Sequence, residues 1–277
     1  MIWKTARRSF DLTRRGLIMG VLNVTPDSFS DGGQYLDPDA AVAQARRMES
    51  EGADIIDIGG ESTRPGALEV TASEEMRRIL PVIEAVRSAT ECSISVDTMK
   101  SSVAAAAVAA GADIINDISG LHADRDMAAV AAATGAGLVL MHMQGTPQTM
   151  QASPGYADVV GEIQDCLRNS LSLATAAGVS LDAIALDPGI GFGKTLEHNL
   201  TILRRLDAFG INGRPVLLGV SRKSFMGRIL SSAGPAARDW PTVALTSLAR
   251  EQGVRILRVH DVQRNVEAMR MTEAIMG

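Results

Sequence analysis

The segment EGADIIDIGG at residues 51–60 contains the pattern on which the whole chain is built. A glycine ends a helical stretch, an apolar run follows at once, and polar residues and glycines come after the run. AGADIINDISG (residues 110–120) and TGAGLVLMH (residues 134–142) repeat this arrangement. Glycine commonly follows the last residue of a helix because it adopts the left-handed conformation without strain. Each segment therefore predicts the end of a helix and the start of a β-strand.

Eight apolar runs of strand length follow this pattern. They are GLIMGVLN (16–23), DIIDIG (54–59), CSISVDT (92–98), DIINDIS (113–119), GLVLMH (137–142), IALDPG (184–189), PVLLGVS (215–221) and RILRVHD (255–261). The stretches between them have helical periodicity. Their apolar positions include Ala41, Ala45 and Met48 in one stretch, and Met76, Ile79, Ile83 and Val86 in the next. Thr71 and Glu74 have the spacing of a capping box at the start of that second helix.

Strands that are apolar on both faces, each followed by a helix, indicate a parallel sheet covered by helices. Eight such units predict an α/β fold, a closed (β/α)₈ TIM barrel, with residues 1–277 as a single domain. A doubly wound open sheet is the alternative, but it usually has fewer strands. No linker or low-complexity tract divides the chain.

The composition excludes several classes of protein. Of 277 residues, 46% are hydrophobic and 21% charged, which suits a chain with a substantial core. The net charge of −5, with no basic block, argues against nucleic-acid or membrane-surface binding. Cys92 and Cys166 have no disulfide or metal-ligand pattern. Arg14 and Arg15 precede an apolar run that is too short for a signal peptide, so we expect a cytoplasmic protein.

Polar residues occur at the end of every predicted strand. In chain order they are Asn23, Asp57 with Glu61, Asp97, Asn116 with Asp117, His142, Asp187, Ser221 with Arg222 and Lys223, and Arg258 with His260. In a barrel of this class these ends meet at one mouth, where active sites form. Turn caps or rim ion pairs could explain single members, and Asp57 and Asp117 fit either interpretation. Eight polar ends together indicate a binding site.

The last two strand ends predict an anion site. Arg258 and His260 lie two residues apart and so share a face of a strand. Gly219, Ser221 and Lys223 share a face as well if the seventh strand stays extended that far. Loops after the seventh and eighth strands are the common phosphate position in these barrels. Arg, Lys, Ser and His at that place suit a diphosphate.

Glycine-rich loops and phenylalanines surround the predicted mouth. FSDGGQ (29–34) and GGESTRPGA (59–67) follow the first two strands and could close over a substrate. Phe29 and Phe192 could flank a flat aryl ligand, whereas Phe225 suits the core. DPGIGFGK (187–194) has neither the dinucleotide nor the P-loop spacing, so a nucleotide site is not predicted.

These motifs resemble the dihydropteroate synthase family over nearly the whole chain. The matching segments are GVLNVTPDSFSDGG, DIIDIGGESTRPGA, ISVDT, DIINDISG, LMHMQGTPQTMQ, LDPGIGFGK, GVSRKSFMG and RVHDV. The resemblance implies a transferase of folate biosynthesis that is a sulfonamide target. It joins 6-hydroxymethyl-7,8-dihydropterin diphosphate to p-aminobenzoate, with Mg²⁺, and releases diphosphate. The resemblance implies that the C–O bond breaks first, in an SN1-like step that leaves a pterin cation.

The resemblance also implies roles for individual residues. The pterin site would comprise Asp97, Asn116, Met141, Asp187, Gly219 and Lys223. Asn23, Arg258 and His260 would bind the diphosphate, with Asn23 also touching the Mg²⁺. The p-aminobenzoate site would comprise Phe29, Thr63, Arg64, Pro65, Phe192 and Ser221. Asp97, Lys223, Arg258 and His260 would be the catalytic residues, and Asp97 would stabilise the cation.

One departure from the family pattern concerns assembly. Trp240 and Pro241 stand where the family usually has a small residue and glycine. The family's dimer contacts lie in the late helices, so this departure bears on the expected homodimer more than on the chemistry. Proline suits the first turn of a helix there.

Two other functions remain open on the sequence. A pterin-binding methyltransferase that uses methyltetrahydrofolate and a corrinoid partner would share the pterin residues. It would not need the STRPG loop or the anion site formed by Ser221, Lys223, Arg258 and His260. A catalytically silent pterin-binding paralogue is the third possibility, and the intact polar residues argue against it.

Overall fold

The structure, a computed structural model, describes residues 1–24, 38–231 and 234–277. Within these residues, β1 (Ile2–Lys4) and β2 (Ser9–Asp11) form an antiparallel hairpin. Eight further strands form one parallel sheet. They are β3 (Leu17–Asn23), β4 (Ile55–Gly59), β5 (Ser93–Asp97), β6 (Ile114–Asp117), β7 (Gly137–Met141), β8 (Ile184–Asp187), β9 (Leu217–Leu218) and β10 (Ile256–Val259).

Helices connect the strands of the parallel sheet. They are α1 (Pro38–Ser50), α2 (Ala72–Ala89), α3 (Ser101–Ala110), α4 (Met127–Thr134), α5 (Val159–Ala176), α6 (Leu196–Leu203), α7 (Ser224–Leu230), α8 (Asp239–Glu251) and α9 (Val262–Met276). Short 3₁₀ turns span Leu181–Ala183, Leu206–Phe209, Ile211–Gly213 and Ala236–Arg238. In the part of the chain that is described, no helix combines the length and apolar character needed to cross a bilayer.

The parallel sheet curls into a barrel. Its strand order is β8-β7-β6-β5-β4-β3-β10-β9. A bridge between Leu186 of β8 and Val216, just before β9, joins the two edges, and the Leu186 N–H donates to the Pro215 carbonyl at 2.9 Å. The predicted (β/α)₈ class is therefore confirmed.

Most strands begin and end within two residues of their predicted bounds, and β9 is the exception. It covers only Leu217–Leu218, and the chain turns farther on, at Arg222, whose φ is +60°. A turn there is incompatible with an extended strand through residue 223, so the condition under which Ser221 and Lys223 would share a strand face is not met. Their positions at the mouth depend on the turn.

The apolar positions predicted for the first two helices lie on the faces that these helices bury. Ala41, Ala45 and Met48 are the buried residues of α1. At the start of α2 the Thr71 hydroxyl accepts the Glu74 N–H at 3.3 Å. The Glu74 carboxylate accepts instead from arginines of the same helix, so only the Thr71 half of the predicted capping box forms.

The N-terminal hairpin, which no sequence pattern predicted, closes the bottom of the barrel. Trp3 is completely buried, and its indole N–H donates to the Ala183 carbonyl at 2.9 Å. Trp3 and Leu12 pack against the lower layer of inward-facing side chains. That layer includes Leu17, Met19, Ile55, Ile114, Val139, Ala185, Leu217 and Ile256. With the bottom filled, a site is expected at the opposite rim, where the strands have their carboxyl ends.

Candidate active site

Four neighbouring strands end side by side at that rim. Asn23 of β3 pairs with Gly59 of β4, Gly59 with Asp97 of β5, and Asp97 with Asn116 of β6. Parallel strands all point the same way, so residues from positions far apart in the chain meet here. Farther round, Met141 of β7 pairs with Asp187 of β8.

Arg258 of β10 connects this rim across the barrel. Its Nε donates to Asp57 Oδ2 at 2.6 Å, and its Nη2 donates to Asp97 Oδ2 at 2.9 Å. The Asn116 Nδ2 lies 3.4 Å from both oxygens of Asp57. Asp57 is fully buried and orients both the guanidinium and the amide. For Asp57 the structure shows the ion pair, with Arg258 as the partner.

Asp97 keeps one carboxylate oxygen without a partner. Its Oδ1 is buried and accepts no hydrogen bond from the described residues. Burial raises the pKa of Asp97 to about 7, although Arg258 acts in the opposite direction. A buried acceptor without a donor is costly unless a ligand supplies one. Asp97 can therefore accept a hydrogen bond from a bound ligand and place a negative charge beside it.

Asp187 and Lys223 are two further charged groups of the mouth, and each favours the charged form of the other. The Asp187 Oδ1 accepts the Gly189 N–H at 2.7 Å, and burial raises the pKa of Asp187 to about 6. Burial and then Arg258 lower the pKa of Lys223 to about 8. A Cβ on Gly219 would lie 4.0 Å from Asp187 Oδ2 and 3.9 Å from Arg258, so the glycine leaves room between these groups. Lys223 is half-buried and stands directly before α7, at its N-cap.

Side chains of α8 and of the segment before it hold the turn that presents Lys223. The Arg222 Nε and Nη2 donate to the two Asp239 oxygens at 2.7 and 3.0 Å. The Arg238 Nη1 donates to the Arg222 carbonyl at 2.9 Å. These contacts stabilise the left-handed backbone at Arg222. Asp239 begins the helix whose first turn contains Trp240 and Pro241, as predicted for the proline.

His260 and Ser221 form a pair beside the arginine. The Ser221 Oγ accepts the His260 backbone N–H at 3.2 Å and lies 3.0 Å from the His260 Nδ1. Burial, and then the charge of Arg258, lower the pKa of His260 to about 3. His260 is therefore neutral at physiological pH and can offer an anion a hydrogen bond but no charge.

An apolar floor lies under the polar groups. Phe192 packs with Met141, Ile118 and Met150, and the Lys223 Nζ lies 3.9 Å from the centre of the Phe192 ring. Polarisable sulfur atoms and an aromatic ring suit a flat ligand. Phe192, predicted for an aryl substrate, and Met141, predicted for the pterin, thus belong to one cluster.

The loop after β4 borders the same mouth. Thr63 is half-buried, and Arg64 and Pro65 are exposed. The Gly66 N–H donates to the Pro147 carbonyl at 3.1 Å, which joins this loop to the loop after β7. Phe29 lies outside the described residues.

Some residues near the mouth have roles that the sequence did not reveal. Lys194 is buried, donates to the Phe192 carbonyl at 2.9 Å, and lies 2.9 Å from the His142 Nδ1. Burial lowers the pKa of Lys194 to about 7, and burial followed by Lys194 lowers that of His142 to about 3. Lys194 thereby holds the DPGIGFGK loop against the end of β7. The spacing of DPGIGFGK gave no sign of this buried contact.

Asp117 has a local structural role. Its Oδ1 accepts the Ser119 N–H and hydroxyl at 2.8 and 2.6 Å, and its Oδ2 accepts the Leu121 N–H at 2.8 Å. An aspartate that bonds to the backbone a few residues ahead stabilises a turn. The turn interpretation is thus the one observed for Asp117.

The donors at the rim restrict how a metal could bind. Within residues 1–24, 38–231 and 234–277, no group of three or more His, Cys, Asp or Glu side chains could hold a metal ion. The carboxamide of Asn23, half-buried at the end of β3, is an oxygen donor. Mg²⁺ often takes few protein ligands when phosphate and water oxygens complete its octahedron. The residues present fit Mg²⁺ that arrives with a diphosphate.

Comparison with known proteins identifies similar chains. A family model described as "Pterin binding enzyme" matches residues 19–260. A dihydropteroate synthase from Synechocystis is 46% identical over 266 residues, which is 96% of this chain and 92% of that protein. One from Escherichia coli K12 is 48% identical over 260 residues, 94% of this chain and 92% of that protein.

A solved structure shows the same similarity. The dihydropteroate synthase of Yersinia pestis in a sulfonamide drug complex has a TM-score of 0.93 and 44% identity, and the match covers 100% of this chain and 99% of that one.

Proposed function

The chain belongs to the dihydropteroate synthase family, the transferases of EC 2.5.1.15 in folate biosynthesis, and on that premise we propose how its residues carry out the reaction. The named relatives are synthases, which argues against a corrinoid-dependent methyltransferase. The substrates we propose are 6-hydroxymethyl-7,8-dihydropterin diphosphate and p-aminobenzoate, and the products are 7,8-dihydropteroate and diphosphate.

We propose that the pterin lies in the deep part of the mouth. Asp97, Asn116 and Asp187 offer acceptors and donors to its polar edge. The Asp97 Oδ1, which accepts no hydrogen bond within the part of the chain that is described, supports this assignment. Lys223 lies over Phe192 and beside Asp187. Met141 packs on the flat ring, and Gly219 leaves space for it.

Asp97 then stabilises the cation of the first step. The C–O bond of the pterin methylene breaks with its electron pair on the diphosphate oxygen, and positive charge develops on the pterin. Asp57 and Asp97 carry two negative charges against one positive charge on Arg258, so the group is net negative when both are ionised. A fixed, buried negative charge next to a developing cation lowers the barrier without reorganising.

The departing diphosphate is bound by Asn23, Arg258 and His260. Arg258 uses Nε and Nη2 for the two carboxylates, which leaves its Nη1 donors for an oxygen of the diphosphate. His260, being neutral, donates a hydrogen bond. Asn23 would hold Mg²⁺, which supplies charge neutralisation to the leaving group when bound.

The second substrate completes the reaction. We place p-aminobenzoate among Thr63, Arg64, Pro65, Phe192 and Ser221, with the predicted contribution of Phe29. Its neutral amine nitrogen bonds to the methylene carbon through the lone pair and releases a proton to water. A solved relative supports this class of ligand: the dihydropteroate synthase of Xanthomonas albilineans holds 4-aminobenzoic acid. That structure has a TM-score of 0.93 and 42% identity, and the match covers 100% of this chain and 98% of that one.

The observation that carries the mechanism is the Asp97 Oδ1, which has no hydrogen-bond partner among the described residues, and substitution tests it. Asp97→Asn keeps the shape and removes the charge, so kcat should fall about 10²–10³-fold, as when one preorganised electrostatic group is lost. The assay follows diphosphate release and dihydropteroate formation together. Asp182→Asn, which removes a carboxylate paired with Lys4 at the opposite end of the barrel, is the control and should leave kcat nearly unchanged. Equal rates in wild type and Asp97→Asn would contradict the mechanism.

We also propose that the chain acts as one domain, in the cytoplasm, and as a homodimer. Leu248 of α8 and Met271 and Ile275 of α9 are exposed apolar side chains on the late helices. Light scattering should give twice the chain mass, and Ile275→Glu should give the monomer. Leu173→Glu, which changes an exposed leucine on α5, is the control and should remain dimeric.

A further inference from the structure

Three charged side chains meet behind the loop that follows β4. The Lys100 Nζ donates to Glu61 Oε2 and, at 2.7 Å, to Glu75 Oε2. The side chains of Lys100, Glu61 and Glu75 are only 18%, 11% and 0% exposed. Each comes from a different element: Glu61 from the β4 loop, Glu75 from α2, and Lys100 from the segment between β5 and α3. We call these three residues the acid–lysine cluster.

Glu61 connects the two ends of the loop. It stands just after β4, and its Oε1 accepts the N–H of Val70 at 3.2 Å, where the loop ends. The preceding residue is fixed as well, since Arg78 of α2 donates to the Gly60 carbonyl at 2.9 Å. A Cβ on Gly60 would lie 2.7 Å from Ile79, so the backbone there is pressed against α2. The side chain of Glu61, at the start of the loop of residues 62–69, thus hydrogen-bonds to the backbone at the end of that loop.

Lys100 determines where that carboxylate lies. Burial lowers the pKa of Lys100, but the hydrogen bonds to Glu61 and Glu75 outweigh burial and hold it above its usual value. The lysine therefore remains charged. Without it, two carboxylates would face each other and repel, and Glu61 would turn away from Val70.

A contribution to folding stability does not by itself explain the cluster. Buried ion pairs often add little to stability compared with apolar residues of the same size, because both charges lose their hydration. The cluster instead joins two segments of the proposed site: Lys100 stands three residues after Asp97, and Glu61 stands two residues before Thr63. A fixed relation between these segments is what a two-substrate reaction requires.

We propose that Lys100, acting through Glu61, is a positioning residue for p-aminobenzoate. It holds residues 62–69 in the form that receives the second substrate, next to the strand end that carries Asp97. This inference rests on the proposed function, because it takes the β4 loop as part of the p-aminobenzoate site.

The test measures both Michaelis constants in Lys100→Met. Losing a hydrogen bond to a charged group should raise the KM for p-aminobenzoate about tenfold or more, while the KM for the pterin diphosphate changes much less. Lys100→Arg should restore most of the loss, since arginine can also reach two carboxylates. Lys4→Met, which breaks the Lys4–Asp182 pair at the other end of the barrel, is the matched control and should change neither constant.

Hydrogen exchange supplies a readout that does not depend on activity. Amides of residues 62–70 should exchange faster in Lys100→Met, whereas those in the middle of α2 should not. If Lys100→Met fails to fold, Glu61→Leu takes its place with the same expectations, because it removes the acceptor of the Val70 N–H and retains the contact between Lys100 and Glu75. An equal rise in both Michaelis constants, or unchanged exchange in residues 62–70, would overturn the inference.

A further variant separates this inference from the proposed function. Arg64→Ala removes a proposed p-aminobenzoate residue and leaves the acid–lysine cluster intact. A raised KM for p-aminobenzoate in Arg64→Ala, but not in Lys100→Met, would overturn the positioning role alone. An unchanged KM in Arg64→Ala would overturn the p-aminobenzoate assignment of the loop, and this inference with it.

Discussion

Replacing Asp97 by asparagine should stabilise the folded protein at alkaline pH even though it removes the proposed catalytic charge. Burial raises the pKa of Asp97 from 3.8 to about 7. Between these two values the folded state binds a proton that the unfolded state has lost. The contribution of Asp97 to stability is therefore present at low pH and is lost as the pH rises towards 7. Asparagine resembles the protonated carboxyl group and has no such pH dependence.

The size of the effect follows from the pKa. From pH 5 to pH 7 the shift spans two pH units, and each unit is worth 1.36 kcal/mol, so the wild type loses about 3 kcal/mol through this group. Above pH 7 both states are ionised and the loss is complete. The difference in the free energy of unfolding, variant minus wild type, should thus increase by about 3 kcal/mol between pH 5 and pH 8.

Urea unfolding at pH 5 and pH 8 measures this difference. Asp187→Asn should show a smaller increase, because the pKa of Asp187 is raised only to about 6. Asp182→Asn should show none, because hydrogen bonds from Lys4 and Ser180 lower the pKa of Asp182 and keep it ionised throughout. If the difference for Asp97→Asn were the same at both pH values, the raised pKa and the electrostatic account of the site would both be wrong.

Three further substitutions test other parts of the molecule. Arg258→Ala should lower turnover by orders of magnitude and also destabilise the fold by about 3–5 kcal/mol, because it leaves the carboxyl groups of Asp57 and Asp97 buried without the guanidinium that pairs with both. Steady-state kinetics and urea unfolding measure the two effects, and normal kinetics would contradict the anion-site assignment. Trp3→Ala should lower the free energy of unfolding by about 3–5 kcal/mol and leave both Michaelis constants unchanged, because Trp3 fills the barrel at the end remote from the site. A change confined to the kinetics would contradict that role. Phe29→Ala should raise the KM for p-aminobenzoate more than that for the pterin, and an equal rise in both would count against assigning this loop to the second substrate.

Much of the site was predictable because a parallel barrel brings all strand ends to one rim. Once eight apolar runs were recognised, Asn23, Asp97, Asn116 and Asp187 had to lie near one another, and the register of the strands bears this out. The seventh strand failed as a guide because it covers only Leu217–Leu218 and the chain then turns at one left-handed residue, Arg222. That conformation is stabilised by Asp239, seventeen residues away, which no local pattern reveals.

The sequence by itself determined the order of strands and helices, the class of barrel and the rim where polar residues collect. Those features depend on local periodicity and on glycines at helix ends, which act within a few residues. Only the tertiary structure decided the partners of each charge: Arg258 with Asp57, 201 residues apart, and Lys100 between Glu61 and Glu75. It also decided the protonation of Asp97 and the closing of the barrel by the N-terminal hairpin. Pairing and pKa depend on burial and on distances of a few ångströms between distant segments, and these exist only once the barrel has closed.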